Sequence, residues 1–120
     1  MLKSTEKKNI SIVYAMNSLE TLKGNWKVIK IIKILKAYKD YLRRKYNVKQ
    51  IGIFGSYLKN EQKKKSDLDI LVEFKKPVGL GYFELKDFLE DILEIKVDLV
   101  TKKGIKPRLK EKILKDAIYI

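Results

Sequence analysis

The chain has no cysteine and no histidine among its 120 residues. Without thiols there is no disulfide, no thiolate nucleophile and no sulfur-ligated metal. Without imidazole, the commonest general base and the commonest zinc ligand are missing. Acid–base and metal chemistry therefore fall to Asp and Glu, helped by Lys, Arg and Tyr. Carboxylate oxygens favour magnesium, calcium or manganese. Proline is scarce as well, with only Pro77 and Pro107, and no Pro- or Ser-rich linker divides the chain. Long apolar runs are absent: Val28 to Leu42 is interrupted by Lys30, Lys33, Lys36, Lys39 and Asp40, so nothing reads as a membrane span. The opening Met1-Leu2-Lys3-Ser4-Thr5-Glu6-Lys7-Lys8 has neither the apolar core nor the cleavage site of a secretion signal. A cytoplasmic protein without a membrane partner is expected.

What is present suits one small domain. Apolar residues make up 45% of the chain, enough for one modest core at this length. The net charge is +13, which suits an anionic partner such as nucleic acid, a nucleotide or an acidic protein. Lysines occur in every segment, however, and this spread favours lysine as a generic solvated residue. The same reading applies to Lys63-Lys64-Lys65, a solvated loop more than a nucleotide-steering patch. Direct nucleic-acid binding is therefore not favoured.

Residues 1–26 show weak periodicity, end near the Gly24-Asn25 turn signal and read as an appendage. The domain is expected over 27–120. Val28, Ile31, Ile32, Leu35, Tyr38 and Leu42 recur at helical steps, predicting one helix from Trp26 to Tyr46 that stops at Asn47. Gln50 to Phe54 reads as a strand, and Ser56 can cap a short helix over Tyr57 to Lys59. Residues 60–66 form a polar loop. From Asp67 to Phe74, Leu68, Ile70, Val72 and Phe74 alternate with Asp67, Asp69, Leu71 and Glu73, the pattern of a strand with one apolar face. A helix is expected over Tyr82 to Glu94 with Leu85, Phe88, Leu89, Ile92 and Leu93 inward; Tyr82, Phe83 and Phe88 read as core. Val97 to Thr101 is a third strand. A last helix, Lys106 to Asp116, begins with Pro107 in its first turn and points Leu109, Ile113 and Leu114 inward. Ala117 to Ile120 can add a final strand. The expected fold is α+β (mixed α/β): a small mixed sheet of three to four strands covered by helices.

Residues i and i+2 on a strand share a face, so Asp67 and Asp69 project together. Asp98, between Val97 and Leu99, points away from both of those side chains. If its strand lies beside the other, the three carboxylates converge. Their mutual repulsion then calls for a proton or a cation. Two metal ions held this way can orient a triphosphate and an attacking hydroxyl for in-line displacement. Gly55, with no Cβ, lets a phosphate approach the backbone. Ser56 offers a hydroxyl and an N–H beside it. Alone, a Gly-Ser pair is usually only a turn and Ser-Asp-x-Asp only a cap. The conjunction of both with a third buried-strand acid carries the reading.

Gly55-Ser56, Ser66-Asp67-Leu68-Asp69-Ile70-Leu71-Val72 and Val97-Asp98-Leu99-Val100 resemble the pattern of the minimal nucleotidyltransferases of the polymerase-β-like superfamily. The resemblance runs from about Lys27 to Ile120 and takes in the closing helix. It implies Mg2+, as two ions, on Asp67, Asp69 and Asp98; ATP as substrate, its triphosphate near Gly55, Ser56 and Ser66; and Asp98 helping to activate the incoming hydroxyl. It further implies an antitoxin that transfers AMP to a tyrosine of a HEPN-domain ribonuclease toxin encoded by a neighbouring gene. Lys59-Asn60 stands where many relatives carry Arg-Gly, which leaves that spacer's contacts with phosphate or partner different. Two other readings compete: an antitoxin that only masks its toxin, and nucleotidyl transfer to RNA or a small-molecule hydroxyl.

Overall fold

The computed structural model of the protein describes residues 25–59 and 67–120. The appendage up to residue 24, Ser66 and the Lys63–Lys65 triplet lie outside the described residues. Helices α1 (Trp26–Ala37) and α2 (Lys39–Lys45) lead into strand β1 (Val48–Phe54). Strand β2 (Leu68–Phe74), helix α3 (Gly81–Leu93) and strand β3 (Val97–Thr101) follow. A short 3-10 turn (Lys102–Gly104), helix α4 (Pro107–Asp116) and strand β4 (Ile118–Tyr119) close the chain. The sheet is ordered β3-β2-β1-β4. β1 is antiparallel to β2 and to β4, and β2 is parallel to β3. A parallel neighbour requires a crossover, and α3 supplies it.

The single helix expected over Trp26 to Tyr46 is two. At Tyr38 the backbone leaves helical dihedrals (φ −96°, ψ 4°). The Tyr38 ring is turned partly to solvent and packs edge-on against Phe88 at 5.5 Å and Tyr41 at 6.3 Å. The break gives the ring those partners, while Leu42 beyond it stays fully buried. Asn47 does end the helical region, in the left-handed conformation (φ 57°) that asparagine tolerates.

Period-2 burial holds on the inner face of the sheet. Ile51 and Ile53 of β1, Leu68, Ile70 and Val72 of β2, and Val97 and Leu99 of β3 are buried. They join Val28, Ile31, Leu35, Leu42, Leu85 and Leu89 from the helices in one cluster. Each such side chain contributes about 1.5–3 kcal/mol of burial. Phe88 and Ile92 pack on this core from its margin. Phe83, expected in the core, is 59% exposed and meets the Tyr82 ring edge-on instead.

The largest departure is α4. No residue of this helix is buried, and Leu109, expected inward, is 43% exposed. Its apolar residues have helical spacing, but the core is already closed by α1, α2 and α3. Leu71, on the outer face of the sheet, and Ile105, just after the 3-10 turn, are buried apart from the main cluster.

Candidate active site

The outer face carries the carboxylates. Asp69 lies directly opposite Asp98 on β3 and opposite Phe54 on β1. Adjacent strands stand about 4.8 Å apart, so the two acids share one position on one face. β3 is an edge strand, and Asp98 is exposed rather than buried as its apolar neighbours suggested. Asp67, also exposed, stands just before β2. Two bonds hold β3 in place. The Val97 N–H donates to Glu90 Oε2 at 2.8 Å, and the Tyr82 hydroxyl donates to the Leu99 carbonyl. Asp98 is thereby bracketed by two anchored residues.

Asp69 shows the electrostatic consequence. Partial burial, the neighbouring Asp98 charge, a hydrogen bond with the Asp98 carboxyl and, least, the Asp67 charge together push its pKa up to about 6. Two carboxylates this close resolve their repulsion by sharing a proton or by taking a cation. The donor set is all oxygen and all acidic, which suits a hard divalent ion. Among the described residues no three acidic side chains form a ready-made ligand cluster. Asp69 and Asp98 are the preformed pair, and Asp67 stands at its margin.

Gly55 borders that pair. Its φ is +82°, and a Cβ there would overlap Asp69 Oδ2 and approach Asp69 Cγ to 2.9 Å. The missing side chain, expected to leave room for phosphate, first of all leaves room for the Asp69 carboxylate. The short helix expected over Tyr57 to Lys59 is instead a set of turns over residues 56–59, with the Leu58 N–H on the Gly55 carbonyl at 3.1 Å. Three residues cannot repay helix nucleation. Ser56 sits half-buried in this turn.

Two residues that sequence reasoning passed over border the same turn. Tyr57 is 3% exposed and joins the core cluster. Asn25 is 5% exposed, and its Nδ2 donates to the Tyr57 carbonyl at 2.6 Å. The sequence held one signal for the first: an aromatic directly after Gly-Ser in an otherwise polar stretch. For Asn25 it offered only turn punctuation.

At the far end of the outer face, Gly52 lies under Tyr119. A Cβ at Gly52 would come within 3.1 Å of the Tyr119 ring. The Tyr119 hydroxyl donates to the Leu114 carbonyl at 3.1 Å. Glu73 pairs with Lys102 at 3.8 Å.

Residues 35–120 match the family described as "Nucleotidyltransferase domain". A Methanocaldococcus jannaschii protein named "Putative protein adenylyltransferase MJ0128" is 56% identical over 89 residues, covering 72% of this chain and 91% of that protein. A Thermococcus cleftensis protein named "Protein adenylyltransferase MntA" is 42% identical over 88 residues, covering 72% of this chain and 89% of its own length. A solved "putative minimal nucleotidyltransferase" superposes with a TM-score of 0.60 at 34% identity, over 83% of this chain and 93% of the other. A toxin–antitoxin crystal structure with AMP-PNP superposes with a TM-score of 0.55 at 25% identity, over 79% of this chain and 70% of the other.

Proposed function

The chain belongs to the nucleotidyltransferase domain family and is a nucleotidyltransferase; from that premise we propose that it transfers AMP from ATP to a tyrosine hydroxyl of a HEPN-domain ribonuclease toxin. It acts thereby as the antitoxin of a two-gene pair. Support for the adenylyl group comes from relatives named as protein adenylyltransferases. Support for the setting comes from the likeness to a toxin–antitoxin structure with AMP-PNP. The observation that carries the reading is the Asp69–Asp98 pair with Gly55 packed against one of its carboxylates.

Asp67, Asp69 and Asp98 are the residues that would hold Mg2+, which when bound screens phosphate charge and acidifies a coordinated hydroxyl. The Gly55-Ser56 turn receives the triphosphate, with the Ser56 hydroxyl as donor, and Ser66 is assigned to the same role. In the transfer, the phenol oxygen forms a bond to the α-phosphorus as the bond to the bridging oxygen of pyrophosphate breaks. Asp98, the solvent-facing member of the pair, accepts the phenol proton. Asp69, held between Phe54, Gly55 and Asp98, keeps the acidic side of the site fixed relative to the turn. The protein works in the cytoplasm. Among its described residues no helix is long and apolar enough to cross a membrane.

The test is the intact mass of the neighbouring gene's product after incubation with this protein, ATP and magnesium. Gain of one or more AMP units, lost in Asp67→Asn/Asp69→Asn, supports the transfer. A stable complex with no gain in mass would replace it with an antitoxin that masks its toxin.

A further inference from the structure

Asn25 occupies the residue before α1, where an asparagine side chain ordinarily accepts a hydrogen bond from the helix's own first N–H groups. Here it caps nothing: no side-chain hydrogen bond to the helix is made. The side chain instead crosses to the Gly55–Lys59 turn and donates Nδ2 to the Tyr57 carbonyl, 32 residues away. Among the described residues its Oδ1 accepts no hydrogen bond although it is buried. An apolar residue would avoid the cost of that buried acceptor. It would also remove the bond to the Tyr57 carbonyl, so what the asparagine supplies at this place is its donor. Lys27, two residues on, stands with Nζ 5.6 Å from the centre of the Tyr57 ring. The start of α1 thus grips Tyr57 by its carbonyl and its ring face. Tyr57 follows Gly55-Ser56 directly, within the loop closed by the Leu58–Gly55 hydrogen bond.

We propose that Asn25 is a positioning residue: through the Tyr57 carbonyl it holds the Gly55-Ser56-Tyr57 turn in the conformation that receives the nucleotide's phosphates. This rests on the reading of that turn as the phosphate site. It also brings into the working domain a residue that lies before position 27, where the domain was expected to begin, and before residue 35, where the family match begins.

The experiment compares Asn25→Ala and Asn25→Leu with Val28→Ala in the full chain. Val28 is a fully buried residue of the same helix, so its truncation costs stability without touching the amide–carbonyl bond. The first readout is amide hydrogen exchange at Ser56, Tyr57 and Leu58. Loss of the bond speeds exchange on the order of tenfold in both Asn25 variants, as expected for one buried hydrogen bond. Val28→Ala, normalised to its own global stability, leaves these amides at the wild-type rate. Asn25→Leu removes the donor while keeping the bulk and adding no charge, so it separates the hydrogen bond from packing. The second readout is the Kd for magnesium AMP-PNP, expected to rise several-fold in the Asn25 variants and to stay unchanged in Val28→Ala. Exchange at 56–58 that is equal in all three variants, or unchanged in Asn25→Leu, overturns the inference. Selective exchange with no nucleotide bound even by the wild type supports the clamp and instead overturns the assignment of the turn to phosphate.

Discussion

The two faces of β2 are built from alternate residues of one short segment and obey opposite rules. Leu68, Ile70 and Val72 point into the core and are fully buried. Asp69 and Glu73 point the other way, and at Asp69 the repulsion from Asp98 is left standing. The inner face lowers the free energy of the fold. At Asp69 the outer face raises it, because a half-buried carboxylate held against another carboxylate favours the protonated form. Sheet register couples the two, since a slip by one residue would exchange them. The strain on the outer face persists because the inner face over-determines where Asp69 sits.

Substitutions at neighbouring positions should separate the two faces. Asp69→Asn is expected to lower AMP transfer by on the order of 10³-fold while slightly raising the melting temperature of the metal-free protein. A melting temperature that falls instead would show that the pair stabilises the fold. Gly55→Ala strikes the same face through the backbone. A Cβ at φ +82° meets Asp69, and the cost is about 1–3 kcal/mol of stability with transfer largely lost. Wild-type transfer by this variant would show that the glycine is only a turn residue. Ile70→Ala, one position from Asp69, is expected to cost about 2–5 kcal/mol in denaturant unfolding, with kcat per folded molecule retained. A kcat that collapsed with stability would break the separation of faces.

A pH series refines the contrast. The folded pKa of Asp69 is raised to about 6, above its unfolded value of about 3.9. Its proton therefore stabilises the fold fully below about pH 4, and that contribution is lost as pH rises through about 6. With the carboxylate about half exposed, solvent screening reduces the expected swing to about 1 kcal/mol. Melting in chelator at pH 4.5 and 7.5, wild type against Asp69→Asn, isolates it: the wild type should lose more stability on going to pH 7.5. The smallest effect belongs to α4. Leu109→Ala should change the stability of the isolated protein by less than about 0.5 kcal/mol, since this residue is exposed and lies outside the core cluster.

Much of this was legible in the chain because it is local. Alternation marked β2 and β3, and i, i+3, i+4 spacing marked Val28, Ile31, Leu35 and Leu42 as inward. The loss of Cys and His left only carboxylates for metal chemistry. Spacing could not say that Tyr38 would break its helix, because the break depends on Phe88, 50 residues further on. Nor could it tell that α4, more amphipathic than α1, would bury none of its residues. Asn25 escaped notice because its partner is a backbone carbonyl, which no side-chain pattern reports.

The sequence by itself determined the residue types at the site and the face each would occupy, since side-chain direction along a strand follows from covalent geometry. It also determined that Gly55 could take a backbone conformation that other residues rarely adopt. Only the tertiary structure decided that Asp98 stands opposite Asp69 and not a strand away, that Gly55's empty side-chain position is filled by a carboxylate, and that Asn25 reaches Tyr57. Those are pairings between distant segments, settled when the shared core under β1, β2 and β3 sets their register.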